Sequence, residues 1–370
     1  MRRLVTLLVV LAAVLPADAE VPAPTRAPGA AQAQRALTEL PLDSGLPLMV
    51  RAALAFVDVE GIDEHKESFT ATVDLRLSWL DLRLRYPAEE APIGYREWRD
   101  KAATMRLTTM WSPDIGLANL RGQPTRESRS LRLYPDGRVV LLRRVAGTFG
   151  SKLDVQRFPF DRQRLQVELV SQGEIVDKMM LDYWQDDLLF SRANPDIEIG
   201  GWTVGAVNLA RDPLAGWYGE SYARLRVALE ADRRPIETVP ALFVPLLASL
   251  LIPLLAIWLN RSNNGEFEIK AFEMTNIVIG GLFAIIALNF TINSQRPILA
   301  SSANTVSLLF GLNYLALAAV LVINVCLFRF NVVRALAGRH VQHETVRYIT
   351  WAIPIAIAAS AVALILIAAA

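Results

Sequence analysis

The sequence predicts an all-β immunoglobulin-like sandwich outside the membrane, followed by an all-α four-helix transmembrane bundle. Three observations predict it. Charge is uneven: Arg, Asp and Glu crowd the stretch from about Pro41 to Arg234 and almost vanish after Pro235, although the 370-residue chain has a net charge of only +1 and 53% apolar residues. Apolar and polar residues alternate with period two in the first half. Four uncharged stretches, each long enough to cross a bilayer, fill the second. This composition excludes a disordered tail and a nucleic-acid binder driven by bulk charge.

The first element is Met-Arg-Arg, an apolar run from Leu4 to Leu15 and a closing Ala17-Asp18-Ala19, the pattern of a cleavable export signal over residues 1–19. The run is too short to span ~30 Å of hydrocarbon. Residues 20–40, with Pro22, Pro24 and Pro28, read as a flexible lead-in. The external domain then occupies residues 41–235 and the membrane domain 236–370. Cys326 is the only cysteine, so no disulfide can form within one chain. The external domain must hold together by its core.

Strands come next. In "TVDLRLSW" Val73, Leu75, Leu77 and Trp79 alternate with Asp74, Arg76 and Ser78; "LDLRLRY" continues with Leu80, Leu82 and Leu84, so a bulge is expected at Trp79-Leu80. Leu165, Val167 and Leu169 alternate against charged or polar neighbours, as do Leu225, Val227 and Leu229, and Pro135-Asp136-Gly137 supplies a turn. Such strands with turns between them favour an antiparallel sandwich. A helical segment is expected around Gln32 to Glu39 or near Gly94 to Ala103.

The membrane stretches run from Thr238 to Asn260, Met274 to Gln295, Pro297 to Phe328 (helical over about 302–328) and Tyr348 to Ala370. About 20 residues at ~1.5 Å rise cover the hydrocarbon. With the first domain exported, Asn260 to Ala271 is internal, Asn293 to Ala303 external and Arg329 to Arg347 internal. The last carries Arg329, Arg334, Arg339 and Arg347 against Glu344 alone, as the positive-inside tendency requires.

"SKLDVQRFPFDRQRL", from Ser151 to Leu165, joins two strands of this exported domain. It resembles the signature loop of the pentameric ligand-gated ion channels, the Cys-loop receptor superfamily, in which two cysteines bracket thirteen residues containing Phe-Pro-Phe-Asp. Ser151 and Leu165 stand at the cysteine positions, and the missing disulfide resembles prokaryotic members. "MWSPDIGLAN" (Met110 to Asn119), "WLDLRL" (Trp79 to Leu84) and "RRPIETVPALFVP" (Arg233 to Pro245) are similar to three further family segments, so the likeness covers residues 45–370. Pro159 makes Phe158-Pro159 a plausible cis bond. Phe158 and Phe160 could sit at the apolar boundary of the membrane domain, or be two core phenylalanines beside a turn proline. Asp161 would be costly to bury unpaired. The resemblance implies Arg233 as its partner, with Asp63 or Glu64 nearby, a cluster coupling the sandwich to the helices.

In the second span Glu273, Asn276, Gly280, Phe283 (or Ala284), Ala287, Phe290 (or Thr291) and Ser294 recur in steps of three and four and form one helical stripe. Such a stripe faces protein or water, so close packing through small residues is the other reading. The resemblance implies five identical subunits around an axis, with Glu273 at the inner mouth and Phe283 and Phe290 as apolar constrictions. "AFE" (Ala271 to Glu273) stands where anion-selective members usually carry Pro-Ala-Arg, which implies permeating cations.

For the ligand, a small-molecule agonist or protons, the resemblance implies Trp217, Tyr218 and Tyr222 as a capping loop, with Glu174 available to contact a primary amine or titrate. The loop Ser171 to Glu174 lacks the aromatic that animal receptors place there. His65 could sense protons or be an exposed turn residue; His340 and His343 lie among internal arginines with nothing to complete a metal site. No nucleophile-base pair, phosphate loop or metal cluster appears, so neither an enzyme nor a cofactor is expected. The membrane expected is the bacterial inner membrane, with the first domain in the periplasm, lipid and four identical subunits as partners, and no nucleic acid. A non-conducting receptor that binds a periplasmic solute is the rival reading.

Overall fold

A computed structural model describes residues 37–42, 45–258, 261–263, 266–268, 271–300 and 303–370. The expected export segment, the lead-in up to residue 36 and most of the segment Gln32 to Glu39 lie outside these residues.

The alternating stretches form strands packed as two sheets. The first contains β1 (Leu48–Asp63), β2 (Ser68–Leu80), β3 (Arg96–Arg99), β5 (Arg126–Leu133), β6 (Arg138–Gly150) and β8 (Met179–Asp182), in the order β3-β5-β6-β2-β1-β8. The second has the order β4-β7-β10-β9, from β4 (Ile115–Leu117), β7 (Arg162–Ile175), β9 (Trp202–Ala215) and β10 (Ser221–Arg233). Pairing within the sheets is antiparallel except for β1 with β8. Two short helices, α1 (Asp100–Leu107) and α2 (Gln185–Phe190), sit in the β3–β4 and β8–β9 connections. Period two sends one set of side chains inward: Val73, Leu75, Leu77 and Trp79 of the first sheet meet Leu165, Val167, Leu169, Leu225, Val227 and Leu229 of the second, all buried. Each such Val or Leu contributes about 1.5–3 kcal/mol, which is how a domain without disulfides holds its shape.

The expected bulge at Trp79-Leu80 is not there. β2 pairs with β6 in unbroken register through Trp79↔Val139 and Leu80↔Arg138, then stops. Leu82–Leu84 is a 3-10 turn rather than strand. Asp81 causes the stop: its buried carboxylate accepts from the Arg83 backbone N–H at 3.1 Å and from the Arg83 guanidinium at 2.8 Å, a local bond that competes with the ladder. The register irregularities fall in β1 instead, at Phe56/Asp58 and Val59/Gly61. The Pro135-Asp136-Gly137 turn joins β5 to β6, with Gly137 at φ +85°. A Cβ there would lie 2.5 Å from the Asp81 carbonyl oxygen, so only glycine fits.

Four helices long and apolar enough to cross a membrane follow, over Thr238–Trp258, Thr275–Gln295, Thr305–Leu327 and Arg339–Ala369. The first is broken into α3 (Pro235–Ser249) and α4 (Leu251–Trp258). Pro253 has no N–H for the Ser249 carbonyl. At the break Ser249 Oγ lies 2.6 Å from the Leu246 carbonyl and 2.9 Å from Asn313 Oδ1, so a buried amide of the third span closes the gap. A short hairpin, β11 (Arg261–Asn263) and β12 (Glu266–Glu268), leads to α5 (Ala271–Gln295). Then come α6 (Thr305–Asn324), extended by a π-helical turn Val325–Arg329, α7 (Val332–Ala337) and α8 (Arg339–Ala369). Asn304 starts α6 by accepting from the Ser307 N–H at 2.9 Å. The last helix therefore begins nine residues before Tyr348, so much of the expected linker Arg329 to Arg347 is helical. Buried Gln342 explains the early start: its Nε2 donates to the Leu327 carbonyl at 2.6 Å and to Asn331 Oδ1 at 3.1 Å, stitching α8 to the end of the third span.

Candidate functional site

The loop Ser151 to Leu165 hangs from the base of the sandwich. At its ends Leu165 is fully buried and Ser151 Oγ donates to the Arg164 carbonyl at 2.8 Å. A hydrogen bond thus closes the loop where two cysteines would. The Phe158-Pro159 peptide is cis, as is Leu46-Pro47.

Period two along β10 turns Arg233, its last residue, inward with Leu229 and Ala231, and places its guanidinium beneath this loop. Arg233 Nε donates to Asp161 Oδ1 at 2.7 Å and Nη2 to Oδ2 at 3.1 Å, while Nη1 reaches Glu64 Oε1 at 2.6 Å. The Arg233 and Asp161 side chains are 3% and 1% exposed. Such a pair must offset a large desolvation cost, which is possible only with good geometry and further hydrogen bonds. The fork-shaped contact supplies the first and Gln163 the second, its Nε2 donating to Asp161 Oδ2 at 2.5 Å. The Arg233 guanidinium also lies 4.1 Å from the Trp202 ring centroid and 4.8 Å from that of Phe158. Burial opposes its charge, but Asp161 first and Glu64 after it outweigh burial and hold it protonated more firmly than usual.

One further arginine completes the chain of contacts. Arg296, just past α5, places Nη1 3.2 Å from Glu64 Oε2 and its guanidinium 5.6 Å from the Phe158 ring. The contacts therefore run from the loop (Asp161) to the end of β10 (Arg233), the β1–β2 turn (Glu64) and the α5–α6 connection (Arg296). Arg296 was not among the expected residues, yet a signal for it exists: it is the only charged residue between Glu273 and Arg329. Trp202 left no comparable mark.

Asp63 does not join this cluster. Its carboxylate turns to Lys66, accepting from the backbone N–H at 2.9 Å and lying 3.3 Å from Nζ. That backbone bond is the main cause holding the Asp63 carboxyl below its ordinary range. Asp63 serves the turn; Glu64 makes the contact. Phe158 is 0% exposed and belongs to the core at the junction, whereas Phe160 is half-buried. His65 is exposed on the same turn, and His340 and His343 are exposed on the first turns of α8.

On α5, Glu273, Asn276, Gly280, Phe283, Ala287, Phe290 and Ser294 are all exposed in the single chain, while Gly281, Ile285 and Ile292 face the bundle. Phe283 and Phe290 are 68% and 75% exposed. The other polar residues of this span divide differently. Asn289 Nδ2 donates to the Tyr314 hydroxyl of α6 at 3.4 Å, joining the two helices, and Asn293 Nδ2 donates to Asn289 Oδ1 one turn back on the same helix at 2.7 Å.

Trp217 and Tyr218 stand at the tip of the β9–β10 hairpin, 96% and 89% exposed. Tyr222 is half-buried, in register with Ile175 of β7 and Leu214 of β9. Glu174, beside that Ile175, lies 3.5 Å from Lys178 Nζ. Among the described residues no ring pair or cation stack includes Trp217, Tyr218 or Tyr222, so one chain does not form an aromatic cage from them.

Residues 37–235 match the family model described as the neurotransmitter-gated ion-channel ligand binding domain. A proton-gated ion channel of Gloeobacter violaceus is 24% identical over 252 residues, 68% of this chain and 65% of that protein. The gamma-aminobutyric acid receptor subunit theta of Mus musculus is 26% identical over 226 residues, 60% of this chain and 34% of that subunit. The rho-3 subunit of Homo sapiens is 26% identical over 228 residues, 59% of this chain and 46% of that subunit. The chain thus spans about a third to two thirds of the length of these relatives. With a two-sheet sandwich leading into four apolar helices, the chain belongs to the neurotransmitter-gated ion-channel ligand binding domain family.

Proposed function

We propose that this chain is one subunit of a homopentameric ligand-gated ion channel in a bacterial inner membrane, with its sandwich in the periplasm. Its second span lines a cation-selective pore. The observation that carries the reading is the outward stripe on α5: Glu273, Asn276, Gly280 and Ser294 share an exposed face with Phe283 and Phe290. Amide, hydroxyl and carboxylate groups facing lipid would be costly, so that face calls for water and hence for other copies. A ring of Glu273 concentrates cations and repels anions, and rings of Phe283 and Phe290 gate by dewetting.

A small molecule or protons acting on the sandwich move its base. The Asp161-Arg233-Glu64-Arg296 contacts carry that movement to the α3 and α5–α6 ends, since contacts of this kind exchange between discrete arrangements. Trp217, Tyr218, Tyr222 and Glu174 present one side of the agonist site, completed by a neighbouring subunit. The relatives named for protons and for gamma-aminobutyric acid support both kinds of trigger.

The test is planar-bilayer recording of the purified full chain against amines, amino acids and acid pH. Currents with cation reversal potentials are expected, shifted toward weaker cation preference by Glu273→Gln. Unchanged permeability ratios in that variant would remove Glu273 from the filter. Silence under every condition would favour a non-conducting receptor.

A further inference from the structure

Within the sandwich, away from the junction, lies a cavity of about 240 Å³. It sits at the edge where the two sheets part, since β8 is the end strand of the first sheet and β9 that of the second. Val176, Met180 and Leu181 line it from one side, Pro213 and Ala223 from the other. The sequence explains the space. The inward positions of β10 begin Ala223, Leu225, Val227, Leu229, all buried, and the first of them is the smallest. The ladder also fails at this height: between Tyr222↔Ile175 and Arg224↔Val170, β10 advances two residues and β7 five, so Ala223 has no partner on β7. Its partner on β9 is Pro213, which has no N–H to give.

Charge and ring chemistry define what such a cavity accepts. Arg211, Asp212 and Arg224 also border it, and their charges are already matched. Asp212 accepts from Arg224 and, at 3.2 Å, from Arg226, and Arg211 pairs with Asp182. A charged ligand would have to break one of these pairs; a neutral one breaks none. Elsewhere in the sandwich arginines lie over rings, as Arg51 does over Trp184 and Arg132 over Tyr95, both at 4.4 Å. Among the described residues no ring of this chain lies beneath Arg211 or Arg224. These two guanidinium groups and the Met180 thioether each attract an aromatic ring. An apolar cavity of about 150 Å³ already suffices for benzene.

We propose that this cavity binds one small uncharged aromatic molecule, of one or two fused rings, its body against Val176, Leu181 and Ala223 and a ring face toward Arg211 and Arg224. The cavity borders the stem of the β9–β10 hairpin that carries Trp217 and Tyr218, so an occupant sets how far that hairpin stands from β8. An effect on opening rests on the channel reading; binding itself does not.

The experiment titrates the purified full chain in detergent with fluoroindole, followed by fluorine NMR against empty micelles. Saturable binding of one molecule per chain is expected. Ala223→Leu fills the cavity from β10 and Val176→Trp fills it from the other side, so each should weaken binding at least tenfold; the second keeps the test alive if the first does not fold. A guanidinium over a ring at a partly exposed site is worth roughly two- to fivefold, which Arg211→Gln should remove. Trp217→Ala, at the hairpin tip, should leave binding unchanged. Full binding in both filled variants, or its loss in Trp217→Ala alone, would overturn the proposal. Fluorotryptamine, fluoroindole acetate and fluorocyclohexane complete the set: equal or tighter binding of the cation, the anion or the saturated ring assigns the cavity to that class instead and overturns it as well.

Discussion

Replacing Asp161 by Asn removes one charge from the junction while nearly preserving shape. In the native protein Arg233 forks onto Asp161 at 2.7 and 3.1 Å with both side chains almost fully buried. At such a separation the gross attraction is about 5 kcal/mol for an effective dielectric near 20. Breaking a buried pair by removing one partner costs about 3–5 kcal/mol, because the remaining charge stays desolvated. Arg233 keeps Glu64 at 2.6 Å, whose side chain is 19% exposed. The cost should therefore fall near the lower end, about 3 kcal/mol. For a domain of this size that lowers the unfolding midpoint by roughly 6–12 °C. The assay is a double-mutant cycle on the full chain, with Asp161→Asn, Arg233→Met and both together, read by thermal unfolding. In the double variant the Arg charge is gone as well, so it should recover much of the loss. A coupling below about 0.5 kcal/mol, the scale of an exposed surface pair, would refute the argument that these groups are a buried, mutually dependent pair.

The other expectations concern the same junction and the sandwich face. Arg296→Gln breaks a contact whose partners are 34% and 19% exposed, so stability should change by less than about 1 kcal/mol while the ligand or pH dependence of opening shifts; a stability loss as large as that of Asp161→Asn would contradict this. Phe158→Ala empties a fully buried site beside two guanidinium groups and should cost about 3–5 kcal/mol, measured as a fall in unfolding midpoint; a cost under about 1 kcal/mol would mean the loop does not depend on that ring. Burial raises the Glu127 carboxyl, but Arg129 and Arg143 outweigh it and hold it below its ordinary 4.5. A depressed folded value means that the stabilisation is present above the unfolded value and is lost as pH falls through the folded one. The stability gap between native protein and Glu127→Gln should thus narrow below pH 4.5, and a gap that does not change with acid would show that the arginines exert no net hold.

Much of this protein is legible in one dimension because its two halves obey different periodicities. Leu165, Val167 and Leu169, or Val73, Leu75 and Leu77, can face a core only as strands, since period two sends every second side chain inward. The four uncharged runs can exist only as membrane helices, because hydrocarbon demands that backbone groups be satisfied within the segment. The α5 stripe follows from 3.6 residues per turn, which is why all seven of its residues lie on one exposed face.

What sequence could not decide involved side chains that choose among neighbours. Asp63 and Glu64 are adjacent and chemically alike, yet one accepts from Lys66 and the other from Arg233. Only the path of the turn separates them. The strand after Trp79 ended early because Asp81 bonds its own downstream backbone, and the fourth span began early because Gln342 found the Leu327 carbonyl. Asn289, outside the expected stripe, donates to the Tyr314 hydroxyl of α6, and Asn293 donates to Asn289. Strand alternation, the presence of four membrane-length helices and the outward stripe were set by the chain itself, since they depend on local geometry and hydrophobic period. Ion-pair partners, helix ends and the joining of Arg296 to Glu64, 232 positions away, were decided by the tertiary structure, because a hydrogen bond is made to whatever group folding brings within about 3 Å.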